Sequence, residues 1–130
     1  LGVDGVSSLG IAALRMDEWG VDVVVAGSQK GLMLPPGLSF CALSEKAWGH
    51  VKASRLPKYY FDIATERKFV ARNECRFTPA VSIFVGLGEV LKMIETETLP
   101  GVFRRHERLA RATRGGVEAL GLELFAKATP

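Results

Sequence analysis

The chain has 130 residues, of which 48% are hydrophobic and 24% are charged, a composition typical of one folded domain rather than a disordered segment. The formal net charge is +3, and Lys and Arg are scattered among acidic residues, which argues against a nucleic-acid partner. Charged residues interrupt the apolar runs well before the roughly 20 residues that a membrane span needs, and no stretch resembles a signal peptide, so we predict a soluble, cytoplasmic chain without a membrane partner.

The first predicted elements are two strands. Residues 1–3 have the pattern of a strand end, with Asp4 at its C-terminal edge. Residues 17–19 fit a helical turn that ends at Gly20, because glycine is the usual residue after a helix C-terminus. Residues 21–26 are apolar and mostly β-branched apart from one aspartate, which predicts a strand covered on both faces, as in a parallel α/β sheet.

A single lysine, Lys30, follows this strand in the sequence Gly-Ser-Gln-Lys-Gly. Lysine seldom enters a protein interior unless it is paired or its pKa is shifted for chemistry. Two interpretations are open at this point. Lys30 is either a solvated turn residue or an amine held at the mouth of a pocket.

The middle of the chain is predicted to contain a turn, a strand, a helix and a loop. The Pro-Pro-Gly sequence at 35–37 predicts the turn, and residues 38–43 predict the strand. Ser44 is a suitable N-cap for a helix over about 45–54. Residues 56–73 lack a period and are interpreted as a loop with one short helical piece.

Two helices are predicted in the last third of the chain. Thr78-Pro79 opens an apolar helix that runs to about residue 97, and its Gly86 and Gly88 predict close packing against another segment. A second helix over about 101–120 ends at Gly121 and carries an arginine cluster that we interpret as a solvated face.

The cysteines and histidines do not form a pattern of metal ligands. Cys41 and Cys75 are far apart and have no second Cys or neighbouring His at a zinc-like spacing, so we predict reduced thiols and no metal site. His50 and His106 are isolated and are interpreted as ordinary helix residues.

The alternation of strands and helices predicts an α/β fold in which Asp4 and Lys30 follow strands at the same edge of the sheet. If their strands are neighbours, an acid and a lysine flank one crevice. An ion pair or two solvated loop residues are the alternatives. Both ends of the chain resemble interrupted secondary structure. Residues 1–4 have the pattern of a strand end, and residues 125–130 follow what resembles the start of another strand, so we expect a segment of a longer chain.

Two stretches of the sequence resemble one family. "VDGVSSLG" at 3–10 and "DEWGVDVVVAGSQKGLMLPPGLSFCALSEKAW" at 17–48 resemble the cofactor-lysine region of the class V aminotransferases, which are pyridoxal-phosphate enzymes of fold type I. The similarity continues through "NECRFTPAVSIFVGLGEVL" at 73–91 and "VEALGLELF" at 117–125.

The resemblance implies roles for five residues. Lys30 corresponds to the lysine that forms the internal aldimine with pyridoxal 5'-phosphate and carries the proton between the substrate Cα and the cofactor. Asp4 corresponds to the aspartate that pairs with the pyridinium nitrogen, and Val6 to a small apolar residue on one face of the ring. Gln29 corresponds to a phosphate-contacting glutamine. Thr78 corresponds to a threonine that reaches the phosphate of the partner subunit from a helix N-terminus.

One departure from the family concerns the residues that precede this threonine. The family often has a tyrosine there that contacts the same phosphate, and this chain has Cys75, Arg76 and Phe77 instead. Arg76 is a possible substitute source of positive charge.

The resemblance also implies an architecture and an activity. Residues 1–78 would belong to the large cofactor domain, with a mostly parallel sheet and flanking helices, and residues 79–130 to interdomain helices and the start of the small domain. The implied enzyme is a homodimer that transfers an amino group from alanine or serine to glyoxylate or pyruvate. Gln29 favours transamination, because the cysteine desulfurase branch usually has a histidine there. A cofactor-binding pseudo-enzyme or non-catalytic subunit of the same fold, or a related lyase, is the alternative.

Overall fold

The computed structural model describes residues 1–126, so the last four residues of the predicted range 79–130 lie outside the described part. The described residues form three strands and four helices. In chain order these are β1 (Gly2–Asp4), β2 (Val23–Gly27), β3 (Ser39–Leu43), α1 (Glu45–Ala53), α2 (Ile63–Val70), α3 (Val81–Glu97) and α4 (Leu99–Ala119). The predicted strand start near the C-terminus is not present in residues 122–126, which have no regular structure.

The three strands form one sheet in the order β1-β2-β3. β1 and β2 are parallel, with Asp4 opposite Val25, whereas β2 and β3 are antiparallel, with Gly27 opposite Ser39. A parallel pair needs a crossover of about a dozen residues or more, usually a helix. Residues 28–38 instead fold back as a loop, and this is why β3 reverses direction.

Strand β2 is buried on one face only. Val24 and Ala26 are 6% and 5% exposed, but Val25 between them is 41% exposed. The prediction of a strand covered on both faces is therefore wrong for the described residues. The helix that packs on the sheet, α1, contacts the neighbouring β3.

Helix α1 begins directly after Ser44, its predicted N-cap. Ser44 Oγ accepts a hydrogen bond from Ala47 N at 3.1 Å, and the same hydroxyl donates to Asp22 Oδ1 at 3.1 Å. Asp22 also accepts from the Leu1 amine at 2.6 Å and from Lys46 Nζ at 3.1 Å. These donors, the Leu1 amine first, hold the pKa of the Asp22 carboxyl well below its usual range. The cluster ties the start of β2 to the start of α1.

Helix α2 is the short helical piece predicted within the loop region. Asp62 caps it by accepting from Thr65 N at 3.3 Å. The Arg67 guanidinium lies 4.4 Å from the Trp48 ring centre and so joins α2 to α1.

Helix α3 begins at Val81, three residues after Thr78, and its N-cap residue Ala80 makes no side-chain cap hydrogen bond. The predicted placement of Thr78 at the helix N-terminus is therefore wrong. The residue before a proline is driven out of the helical region by the proline ring, and Thr78 precedes Pro79. The predicted end of the helix at Glu97 is confirmed.

Helix α3 packs against the loop formed by residues 28–38. A Cβ on Gly86 would lie 2.9 Å from Leu34 Cδ2, and a Cβ on Gly37 would collide with Ile83 Cδ1. The predicted close packing is confirmed at Gly86. It is wrong at Gly88, where a Cβ would have no neighbour within 4 Å in the part of the chain that the structure describes.

A tight junction at Thr98 separates α3 from α4. Thr98 has a φ of 67° and its hydroxyl accepts from Gly101 N at 3.3 Å. Arg105 binds both carboxylate oxygens of Glu97, at 2.7 and 2.9 Å. Helix α4 ends within two residues of the predicted boundary, and Gly121 follows it with a φ of 77°.

Much of the apolar surface of the described residues is open. In α3 alone, Val81, Val85 and Met93 are 62%, 65% and 58% exposed. Surfaces of this kind are typical of contact with another segment or chain. Within residues 1–126 no helix combines the length and apolar character needed to cross a membrane.

Candidate active site

The candidate site lies where β1 and β2 end. The carboxyl ends of parallel neighbours meet at one edge of a sheet, where open α/β sheets bind ligands. Asp4 is the last residue of β1, and Lys30 comes three residues after Gly27, the last residue of β2. Gly5 N donates to Val25 O at 2.7 Å and holds the chain after Asp4 against β2. The structure thus confirms that the two strands are neighbours.

Asp4 has an exposed carboxylate that its own turn orients. Its Oδ1 accepts from Val6 N at 2.9 Å. Its Oδ2 has no hydrogen-bond partner in residues 1–126, and one oxygen is therefore free for a ligand. Val6, the predicted ring-packing residue, is half-buried in the same turn.

Lys30 lies in an exposed turn that its backbone closes. The Lys30 carbonyl accepts from Met33 N at 2.8 Å, and Met33 has a φ of 55°. Across the described residues, Lys30 Nζ makes no hydrogen bond and no ion pair within 4.0 Å. The amine is not engaged with Asp4, so the alternative of a simple ion pair between the two is wrong.

Gln29 folds back over the end of β2. Its Oε1 lies 2.7 Å from the position that a Cβ on Gly27 would occupy. Glycine at position 27 therefore leaves the space that the Gln29 amide fills. This places a neutral amide beside the lysine turn.

Ser28 is the anchor of the loop that carries Lys30, and the sequence analysis missed it. The residue is 0% exposed. Its hydroxyl donates to Pro35 O at 2.7 Å and accepts from Leu38 N at 3.2 Å. Its backbone carbonyl accepts from Leu34 N at 3.1 Å. The loop is therefore closed at its base by one buried side chain.

Replacing Ser28 with alanine is expected to loosen this loop without unfolding the sheet. The change removes two hydrogen bonds in a part-buried place, one to the Pro35 carbonyl and one from the Leu38 amide, and at about 1 kcal/mol for each bond the cost is about 2 kcal/mol. Hydrogen exchange on the full-length protein should show the Leu34 and Leu38 amides exchanging about 30-fold faster. Ser39→Ala, at an exposed residue of β3, is the matched control. Unchanged exchange in the Ser28 variant would contradict the anchoring role.

The turn that follows Asp4 and the turn that follows Lys30 touch each other. A Cβ on Gly10 would lie 3.5 Å from the Gly31 carbonyl oxygen, and Gly10 has a φ of 77°. The structure therefore brings Asp4, Val6, Gln29 and Lys30 onto two adjoining turns.

Thr78 is not joined to this group. It is exposed and makes no hydrogen bond to the four residues on the two turns. Its neighbour Arg76 is turned inward, with its guanidinium 4.9 Å from the ring centres of both Tyr59 and Phe77 and 3.9 Å from Glu66 Oε1. The charge of Arg76 is therefore directed at α2 rather than at the Lys30 turn.

One comparison identifies the family. The family model for class V aminotransferases matches residues 1–129. The chain belongs to the class V aminotransferases.

Two individual relatives match most of this chain under different names. This class V chain is 49% identical over 124 residues to the L-aspartate–glyoxylate aminotransferase of Paracoccus denitrificans, covering 95% of this chain and 31% of the relative. It is also 48% identical over 124 residues to a protein of a Synechococcus species named as the small subunit of a soluble hydrogenase, covering 95% and 32%. The chain therefore spans about a third of these relatives.

A solved structure supports the fold type. The alanine–glyoxylate aminotransferase of a Nostoc species superposes with a TM-score of 0.91 at 30% identity, over 98% of this class V chain and 34% of that structure. The fold is therefore part of a fold type I pyridoxal-phosphate enzyme, as the resemblance implied.

The side chains of the two turns fit this cofactor chemically. The residues at this sheet edge supply an amine, a carboxylate with one free oxygen and a neutral amide, and a pyridoxal ring offers an aldehyde, a ring nitrogen and a phosphate. Glycine was the sequence signal for the missed role of Ser28, since Gly27 and Gly31 flank the Ser-Gln-Lys sequence and Gly37 lies near the end of the loop.

Proposed function

We propose that the full-length protein is a pyridoxal-phosphate-dependent aminotransferase that moves an amino group from alanine or serine to glyoxylate or pyruvate. The observation that carries this proposal is that Lys30 and Asp4 lie on adjoining turns after neighbouring strands, in a chain of the class V family. Pyridoxal phosphate supplies the electron sink that makes the substrate Cα proton removable.

The residues of the two turns have distinct tasks in this proposal. Lys30 would hold the cofactor through Nζ until the substrate amine displaces it, and the freed Nζ would then take the proton from the substrate Cα and deliver it to the cofactor. The free oxygen of Asp4 would accept a hydrogen bond from the protonated ring nitrogen, and Val6 would pack on the ring. The Gln29 amide would donate to the phosphate.

Thr78 has a different place in the proposal. It is exposed and makes no hydrogen bond to the four site residues on the two turns, which supports a role in the phosphate site of a second subunit. A cytoplasmic homodimer is therefore part of the proposal. The proposal also assigns residues 1–78 to the large domain and residues 79–130 to the interdomain helices and the start of the small domain.

The function is tested by a half-reaction on the full-length protein. Protein loaded with pyridoxal phosphate is mixed with alanine, serine or aspartate, and the 2-oxo acid released is measured against protein concentration. The proposal expects one equivalent of pyruvate or hydroxypyruvate from alanine or serine. Fast release from aspartate alone would move the donor class to that of the Paracoccus relative.

The non-catalytic alternative is favoured by the two relatives that are named as hydrogenase subunits. Protein that binds the cofactor and releases no 2-oxo acid from any donor would establish that alternative. Formation of alanine from cysteine, with sulfide released when a thiol reductant is added, would instead indicate the desulfurase branch.

A further inference from the structure

The contact between the two turns depends on Gly31. A Cβ on Gly31 would collide with the Leu9 carbonyl oxygen and would lie 2.9 Å from Ile11 Cγ1 and 3.3 Å from the Gly10 carbonyl carbon. Gly31 has no positive φ, so backbone conformation does not require glycine there. The requirement is space between two backbones.

The turn that follows Asp4 forms the other side of this contact, and hydrogen bonds between its own residues hold its shape. Leu9 N donates to Gly5 O at 2.9 Å, and Ile11 N donates to Ser8 O at 2.9 Å. A backbone carbonyl in such a turn cannot swing away alone, as a flexible side chain can. Displacement of the Leu9 carbonyl is therefore passed to Gly5, the residue next to Asp4.

On the Lys30 side of the contact, Gly31 is also coupled closely to a site residue. Gly31 follows Lys30 directly, and adjacent Cα atoms are about 3.8 Å apart. The Lys30 carbonyl is itself held by Met33 N. A shift of Gly31 therefore moves Lys30 by a similar amount.

We propose that Gly31 is a positioning residue: its missing side chain lets the Lys30 turn lie directly on the Asp4 turn and so sets the separation of these two groups. The consequence for catalysis rests on the proposed function, in which Lys30 and Asp4 hold opposite ends of one cofactor ring. A displacement of about 1 Å in a catalytic geometry can lower a rate by about 100-fold.

The test is Gly31→Ala in the full-length protein, with Gly2→Ala as the control, because a Cβ on Gly2 has no neighbour within 4 Å among residues 1–126. Three readouts are compared. They are hydrogen exchange of the amides of residues 5–12, visible circular dichroism of protein loaded with pyridoxal phosphate, and kcat. The proposal expects faster exchange, an altered visible signal and a kcat lowered by about 100-fold, with the control like wild type.

A double variant and a single variant in the Asp4 turn distinguish an effect of backbone spacing from an effect of the Ile11 side chain. Gly31→Ala combined with Ile11→Ala removes the side-chain contact and keeps the collision with the Leu9 carbonyl. Recovery in this double variant would overturn the proposal. If Gly31→Ala does not fold, Ile11→Ala alone keeps both backbones and should show the exchange and dichroism of wild type, and a change in either would overturn the proposal.

The two hypotheses can fail separately. Gly31→Ala with the exchange and dichroism of wild type overturns the positioning role. Wild-type protein that never binds pyridoxal phosphate overturns the proposed function. In that case, amide hydrogen exchange of residues 5–12 in the Gly31 variant is the readout that tests the positioning role.

Discussion

Lys30→Ala in the full-length protein is expected to abolish transamination while leaving a folded protein that still takes up pyridoxal phosphate. The reason is that Lys30 Nζ is the only amine the two turns present, and it makes no hydrogen bond or ion pair in the described residues. Wild-type protein loaded with the cofactor should show a visible absorption band from the lysine-linked cofactor. Borohydride treatment followed by mass spectrometry should place the cofactor on the peptide that contains Lys30.

The controls for this prediction separate charge from amine chemistry. Lys30→Arg keeps a cation in the turn but has no amine that can condense with an aldehyde, so it should be as inactive as the alanine variant. Lys52→Ala, on the exposed surface of α1, should behave like wild type. An arginine variant with substantial turnover, or cofactor found on another lysine, would show that Lys30 does not carry the cofactor.

Asp4→Asn is expected to lower the transamination rate by several orders of magnitude with little change in folding. An asparagine oxygen can still accept from Val6 N, as Asp4 Oδ1 does at 2.9 Å, so the turn keeps its shape. A neutral amide cannot hold a proton on the ring nitrogen by a charge-assisted hydrogen bond. The pKa of the ring nitrogen should therefore fall together with the rate, because both depend on the same proton.

Single-turnover kinetics and a spectroscopic titration of the bound cofactor measure these two effects. Asp17→Asn, which removes an exposed carboxylate from the turn before β2, is the matched control. A rate for Asp4→Asn within about threefold of wild type corresponds to only about 0.65 kcal/mol of activation free energy. That result would mean that Asp4 does not bind the pyridinium.

Local sequence signals predicted the elements whose ends depend on local chemistry. Ser44 caps α1 as predicted, because a serine hydroxyl before a helix satisfies an amide that the helix leaves open. Gly121 follows α4 because its positive φ suits a residue without a side chain. Gly86 was also predicted as a close contact, although the sequence did not indicate that its neighbour is Leu34.

The predicted start of α3 failed for a reason that is itself local. Thr78-Pro79 has the pattern of an N-cap followed by a first-turn proline, but the helix begins at Val81. Two opposing rules act on this dipeptide, since proline suits the first turn and also drives the preceding residue into extended backbone. The sequence alone did not reveal which rule prevails.

By itself, the sequence determined the residue types of the site and the family: an acid after one strand, a lysine after the next and the spacing between them. Only the tertiary structure decided how these groups are held. Ser28 and Gly31 act through atoms of Pro35, Leu38 and Leu9, which are distant in sequence or lie on another turn. Periodicity and capping describe contacts within a few residues, whereas a buried hydroxyl or a missing Cβ acquires its role from backbone that folding brings beside it.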